Sequence, residues 1–259
     1  MAEAILLSAL FIFIYMTAVF FLALAKKDNS IMDIAWGPGF ILVGLVNLFL
    51  RPVFAVRQML VIGLIVIWGA RLALHIALRN KGRGEDDRYS RWRKSWGRWF
   101  LARSYLQIFM LQGFLMLLVS SPAILVSHST GNRLGLLDML GAALWIFGFF
   151  FESAGDYQLV IFKKNPKNKG RLITSGLWKY TRHPNYFGEA TMWWGIFFIV
   201  LSVPQGWAAV VSPLAITYLL LKVSGVVLLE KKYAGNPEFE AYARKANAFF
   251  PWFPKKIKE

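Results

Sequence analysis

The sequence predicts an all-α integral membrane protein. Three observations carry that class. Apolar residues make up 57% of the 259 positions against 17% charged, and the mean hydropathy is +0.47. The apolar residues also gather into runs of roughly 20, the length at which a helix crosses a hydrocarbon core of about 30 Å.

The runs cover 4–25, 32–50, 58–78, 104–127, 135–162, 185–203 and 207–229, which makes seven transmembrane helices. The first ends in Ala23-Leu24-Ala25, the small-x-small form of a signal-peptidase site. It is long enough to span, however, and is preceded by Glu3 rather than a basic segment, so it reads as a retained helix. Taken in order, the loops 26–31, 79–103 and 163–184 and the tail 230–259 fall on one side with 25 Lys and Arg. The other side holds 3, Arg51, Arg57 and Arg133. Cytoplasmic loops collect basic residues, so the N-terminus is expected outside and the C-terminus inside. The net charge of +16 follows from this topology and does not call for nucleic acid.

Two stretches read as interfacial amphipathic helices. Segment 84–103 sets Trp92, Trp96, Trp99 and Phe100 at helical spacing among Arg and Lys, and the tail opens a short helix at Asn236-Pro237 and ends in aromatics with lysines. No repeat or Gly/Ser-rich linker divides the chain, so 1–259 reads as a single membrane domain. There is no cysteine, and histidines at 75, 128 and 183 make no metal cluster, so neither thiol nor metal chemistry is expected.

An ionisable side chain inside a span costs at least a few kcal/mol on insertion scales, so it normally faces a polar cavity. Asp33 opens the second span one turn before Trp36. Arg71, His75 and Arg79 recur every fourth residue on one face of the third; Glu152, Asp156 and Lys163 run down the end of the fifth; Asn185, Glu189 and Trp193 keep a spacing of four in the sixth. Such residues also serve as interhelical contacts, Arg71 with Asp33 being one such pairing, but three stripes at the cytoplasmic ends point to a shared cavity. A mouth lined by Lys163, Lys164, Lys169, Arg171, Arg182 and His183 beside Asp156 and Glu189 suits an anionic ligand that also carries sugar or amide groups. A phosphorylated nucleotide meets both demands. No GxGxxG or Walker-type loop is present, so the transmembrane helices themselves would have to hold it.

The stretch GDYQLVIFKKNPKNKGRLITSGLWKYTRHPNYFGEATMWWG, Gly155 to Gly195, resembles the C-terminal core of the steroid 5α-reductase superfamily. DIAWGPGF and WGARLALHIALRNKGRGED further resemble its bacterial DUF1295 branch, with the likeness running from about 30 to 254. The resemblance implies a seven-helix reductase of the bacterial inner membrane whose cytoplasmic half, a core over 150–254, binds NADPH. Hydride then passes to the double bond of an apolar enone entering from the bilayer lipids, typically a 3-oxo-4-ene steroid. Matched position by position, the family's nucleotide-binding residues fall on Asp156, Asn185, Glu189 and Trp193, with Lys163 and Arg171 in place of two arginines. Tyr180, Lys231, Tyr233, Tyr242 and Arg244 match positions near the nucleotide. The stripes and the RHPNY stretch add Arg79, Glu152, His183 and Tyr186 to the cofactor set.

Where the steroid enzymes hold the substrate ketone with a glutamate and a tyrosine, this chain has Trp36 and Ile76. Asp33, one turn from Trp36, and His75, beside Ile76, are the expected catalytic pair that polarises the carbonyl. Asp33 can donate only in its protonated form. Trp36, Ile76 and Trp193 are the expected substrate contacts. The rival reading is an S-adenosylmethionine-dependent methyltransferase of the isoprenylcysteine carboxyl methyltransferase type, which SGLWKYTRHPNYFG also resembles. That cofactor carries no phosphate and needs no basic cluster, so Lys163 and Arg171 favour the reductase.

Overall fold

The computed structural model describes residues 1–50, 55–128 and 133–255; Arg51 lies outside them. Every named element among the described residues is helical, and one isolated bridge pairs Thr181 with Asn247. The chain divides into two compact units, 1–135 with 200–212, and 136–199 with 213–259.

The first unit contains α1 (Ala2–Lys26), α2 (Ile31–Phe49), α3 (Val56–Asn80), the helical run α4 (Asp87–Val119) and the short α5 (Ser121–Val126). α1 stops at Lys27, whose backbone is left-handed with φ 54°. α2 and α3 meet where Gly37 faces Gly69: a Cβ on Gly69 would stand 2.8 Å from the Gly37 carbonyl oxygen, so only glycine permits that approach. Nearer the other end of this pair, Gln58 Nε2 donates to the Asn47 carbonyl at 3.1 Å and Asn47 Nδ2 to Ser8 Oγ at 2.8 Å. These bonds tie α1, α2 and α3 through groups that lipid could not satisfy.

α4 starts on an Asp86 cap that accepts from Arg88 N. Gly97, at φ 47°, then turns the chain between the basic, tryptophan-rich stretch and the apolar remainder. Residues Ser104–Met110 form a π-helical turn before the run resumes as α-helix. Thr17 and Tyr105 share a hydrogen bond of 3.0 Å there, fastening the turn to α1.

The second unit contains α6 (Leu136–Lys164), α7 (Pro184–Val200), most of the helical run α8 (Gly206–Lys232, whose part up to Ser212 belongs to the first unit) and α9 (Pro237–Lys245). α6 and α7 run antiparallel on matched glycines. A Cβ on Gly141 would lie 2.5 Å from the Gly195 carbonyl oxygen, and one on Gly148 2.5 Å from that of Gly188. Both glycine pairs repeat every seven residues, so the two backbones touch along one line, as small residues allow in lipid. Asn236 caps α9 by accepting from Glu238 N and Phe239 N.

Six helices among the described residues are long and apolar enough to cross a membrane: α1, α2, α3, α4, α6 and α8. The expected seven are therefore not all matched. The run 185–203 folds as α7, which has 17 residues and a length of about 26 Å, short of a ~30 Å hydrocarbon core.

Candidate functional site

The predicted residues fall into two sets, one in each unit. Asp33 and Trp36 lie on α2, and His75, Ile76 and Arg79 on α3, in the first unit. All the others, from Glu152 to Arg244, including Trp193, lie in the second.

In the second unit the glycine line sets α6 and α7 at backbone contact, and this brings Asp156 against Asn185: Asn185 Nδ2 donates to Asp156 Oδ1 at 3.0 Å. Gly155 allows it, since a Cβ there would meet Pro184 Cγ at 3.1 Å. Asp156 is 7% exposed and Glu152, one turn earlier, 2%. The Asn185 Oδ1 of this pair is buried with no hydrogen-bond partner, as is Ser153 Oγ three residues before Asp156. Leaving such an atom unsatisfied costs about 1–3 kcal/mol, which a ligand hydroxyl or amide N–H docking there would recover. Two helical turns beyond Asp156, Lys163 is exposed, as is Arg171 in the loop that follows α6. A buried carboxylate, an amide with an open acceptor and nearby exposed cations fit the ribose, amide and phosphate groups of a nucleotide.

Other expected contacts have structural partners. Arg182 does not line an open mouth: Nη2 pairs with Glu230 Oε1 at 2.7 Å, and Nη1 donates to the Ala243 carbonyl at 3.2 Å. Its fork thereby clasps the loop before α7 to α8 and α9. His183 Nε2 lies 3.3 Å from the same Glu230 oxygen, and its ring stacks on Tyr186 at 5.4 Å. Burial pushes the His183 imidazole below its ordinary value, against the opposing pull of Glu230. The Tyr242 hydroxyl donates to the Trp178 carbonyl, and Tyr180 packs edge-on against Phe253. Glu189 and Tyr186 are half-buried, Trp193 is 1% exposed, and Lys231 and Arg244 are exposed.

In the first unit Asp33 accepts from Arg88 Nη2 at 2.8 Å and from the Tyr89 hydroxyl at 2.7 Å, one donor to each carboxylate oxygen. Neither partner was singled out in the sequence, because both stand 55 or more residues from Asp33 in a stretch that reads as interfacial. The loops around them are closed by Asn29 N donating to Glu85 Oε1 at 2.9 Å and by Asp86 N donating to Ser30 Oγ at 2.7 Å. Burial alone would raise the Glu85 carboxyl, but Arg93 and the Asn29 N–H outweigh it and hold it below the usual range. Trp36 packs edge-on against Phe40, Ile76 is buried, His75 is half-buried and Arg79 is exposed.

Among the described residues no group of three or more His, Cys, Asp or Glu is placed to hold a metal ion. The family described as "Protein of unknown function (DUF1295)" matches residues 19–246. The chain belongs to the DUF1295 family. This DUF1295 protein is also 30% identical over 80 residues to 3-oxo-5-alpha-steroid 4-dehydrogenase 1 of Bos taurus, a stretch covering 31% of this chain and 31% of the bovine enzyme. The similarity is consistent with the steroid 5α-reductase-like superfamily, and it spans about a third of the length of that relative. No solved structure matches the chain.

Proposed function

We propose that this DUF1295 protein is an NADPH-dependent membrane reductase that saturates the activated double bond of an apolar enone, a 3-oxo-4-ene steroid being the leading substrate class. The observation that carries the reading is the Asp156–Asn185 pair with the open acceptor Asn185 Oδ1. The likeness to a bovine 3-oxo-5-alpha-steroid 4-dehydrogenase supports the reaction class.

On this reading Asp156 and Asn185 fix the orientation of the ribose and amide groups, with Glu152 and Glu189 completing the polar face. Lys163 and Arg171 neutralise phosphate, and Tyr180, His183, Tyr186, Lys231, Tyr242 and Arg244 are the further cofactor contacts. NADPH when bound supplies the hydride. Addition to an enone builds negative charge on the ketone oxygen, so the chain must hold a donor against that oxygen in a dry site. Asp33 and His75 take that role, Trp36 and Ile76 on the same two helices contact the substrate rings, and Arg79 and Trp193 keep their expected cofactor and substrate roles. Both Asp33 oxygens accept, from Arg88 Nη2 and from the Tyr89 hydroxyl, so donation to the ketone requires that the Asp33 carboxyl first take up a proton and release one of these two contacts. The same proposal counts α7 as the seventh span, places the N-terminus outside and the basic loops in the cytoplasm, and sets the protein in a bacterial inner membrane.

Thermal stability of the detergent-purified protein under titration with NADPH, NADH and S-adenosylmethionine tests it, since a ligand that binds only the folded state raises stability by mass action. Selective stabilisation by NADPH supports the reductase. Stabilisation by S-adenosylmethionine alone overturns it in favour of methyl transfer.

A further inference from the structure

The last ten described residues, 246–255, form no helix, yet they are held firmly. Arg182 N donates to the Asn247 carbonyl at 2.9 Å, Thr181 Oγ1 to that of Phe249 at 2.8 Å, and Trp252 N to that of Tyr180 at 3.0 Å. Lys255 N donates to the Lys245 carbonyl at 2.9 Å, closing the segment back on α9. Phe249 is the inward anchor, 7% exposed, with its ring 5.9 Å from that of Phe187 on α7.

What this strap displays is unusual for a polar terminus. Phe250, Trp252 and Phe253 are 69%, 69% and 74% exposed within four consecutive residues of a hydrogen-bonded backbone, with the Trp252 and Phe253 rings 6.4 Å apart and the Phe250 ring 6.1 Å from that of Phe187 on α7. Exposed Lys245 and Lys255 meet at one end of the strap, exposed Lys179 precedes Tyr180 where the strap is fastened, and residues 246–255 contain no carboxylate. The strap is fastened to Tyr180, Thr181 and Arg182, directly before α7 begins at Pro184. The rings therefore sit at the level where an apolar helix starts. Aromatic rings at a helix boundary, bordered by lysines, match the chemistry of the zone between lipid headgroups and acyl chains, where Trp prefers to lie and anionic phosphates meet cations.

We infer that Phe250, Trp252 and Phe253 form a membrane-interface anchor whose partner is the headgroup and upper acyl region of anionic phospholipid. Through the strap, the anchor fixes the depth of the Tyr180–His183 turn relative to the bilayer. The inference does not depend on which cofactor the protein uses.

The chain has no cysteine, so single substitutions label cleanly. F250C and F253C, with E240C on the exposed face of α9 as the aqueous reference, are labelled with bimane in the full-length protein and reconstituted into vesicles of phosphatidylglycerol and phosphatidylcholine. The expected result is loss of about half the fluorescence at 250 and 253 to a shallow doxyl-labelled lipid, with iodide sensitivity about threefold below that at 240. Iodide quenching at 250 and 253 equal to that at 240 puts the rings in water and overturns the anchor. Protection from both quenchers means a protein surface covers them and overturns it equally. Both replaced rings are mostly exposed, and melting curves of the three variants verify that each remains folded.

Discussion

The side-chain amide of Asn185 points its nitrogen at Asp156 Oδ1, 3.0 Å away, and leaves its oxygen buried with no donor. A structural pair with no further duty would be expected to use both ends of the amide. N185L should therefore weaken NADPH binding about tenfold or more while the apoprotein keeps its fold, as read by thermal-shift titration. An N185L protein that binds NADPH as tightly as the parent would remove the pair from the cofactor site.

Asp33 and His75 make a different prediction, because they are assigned to the carbonyl and not to the nucleotide. D33A and H75F should each lower turnover of an enone substrate by about a hundredfold, with NADPH affinity nearly unchanged. Loss of NADPH binding in either variant would sink the assignment.

The Arg88–Asp33 ion pair is only partly shielded, with side-chain exposures of 33% and 18%. R88L leaves the carboxylate facing Tyr89 alone and should cost about 1–3 kcal/mol of stability, discounted for that exposure. Y89F removes one hydrogen bond and should cost about 1 kcal/mol. A double-mutant cycle between D33N and R88L measures the coupling, and an additive result would show that the pair contributes nothing.

The glycine line between α6 and α7 gives a steric prediction. G148A and G141A each place a methyl group 2.5 Å from a carbonyl oxygen of the other helix, and both should lower thermal stability by about 1–3 kcal/mol. G63A on α3, where a Cβ meets nothing within 4 Å, is the control and should leave stability unchanged or slightly higher.

His183 predicts the sign of a pH effect. Its imidazole is held below the ordinary 6.5 by burial, so the unfolded chain takes up a proton before the folded one. Its contribution is complete above that value and is lost as pH falls through it. Melting temperatures measured across this window should drop more steeply for the parent protein than for H183Q; equal slopes would show that His183 titrates as it does when unfolded.

The sequence made the helical class legible from apolar length, and six of its runs overlap helices long enough to span, although the fourth, read as 104–127, lies in a helical run over Asp87–Val119 that takes in most of the stretch read as interfacial. It also put Asp156 and Asn185 on adjoining stripes, since a spacing of four survives folding as one face. What stayed hidden depends on register between helices. The glycines at 141, 148, 188 and 195 are visible, but the heptad match that presses them together appears only once the two helices are docked. Arg182 looked like a free cation, and its engagement with Glu230 rests on a contact across 48 residues. Tyr89 and Arg88 sit in a stretch whose tryptophans suggested the membrane surface, so their part in holding Asp33 had no local signal. α7 fell short because its helix ends at Val200, three residues before the apolar run does.

The π-helical turn at Ser104–Met110 bears on how this chain tolerates change in length. Deleting one residue from an ordinary span rotates everything beyond it by about 100° and scrambles the packing. A π turn already carries a surplus residue relative to an α turn. Removing Gln107, which lies exposed within it, would tighten that turn to α-helix and leave Leu111–Val119 facing the same neighbours as before. The middle of α4 is thus a place in this span where a single-residue deletion can be absorbed.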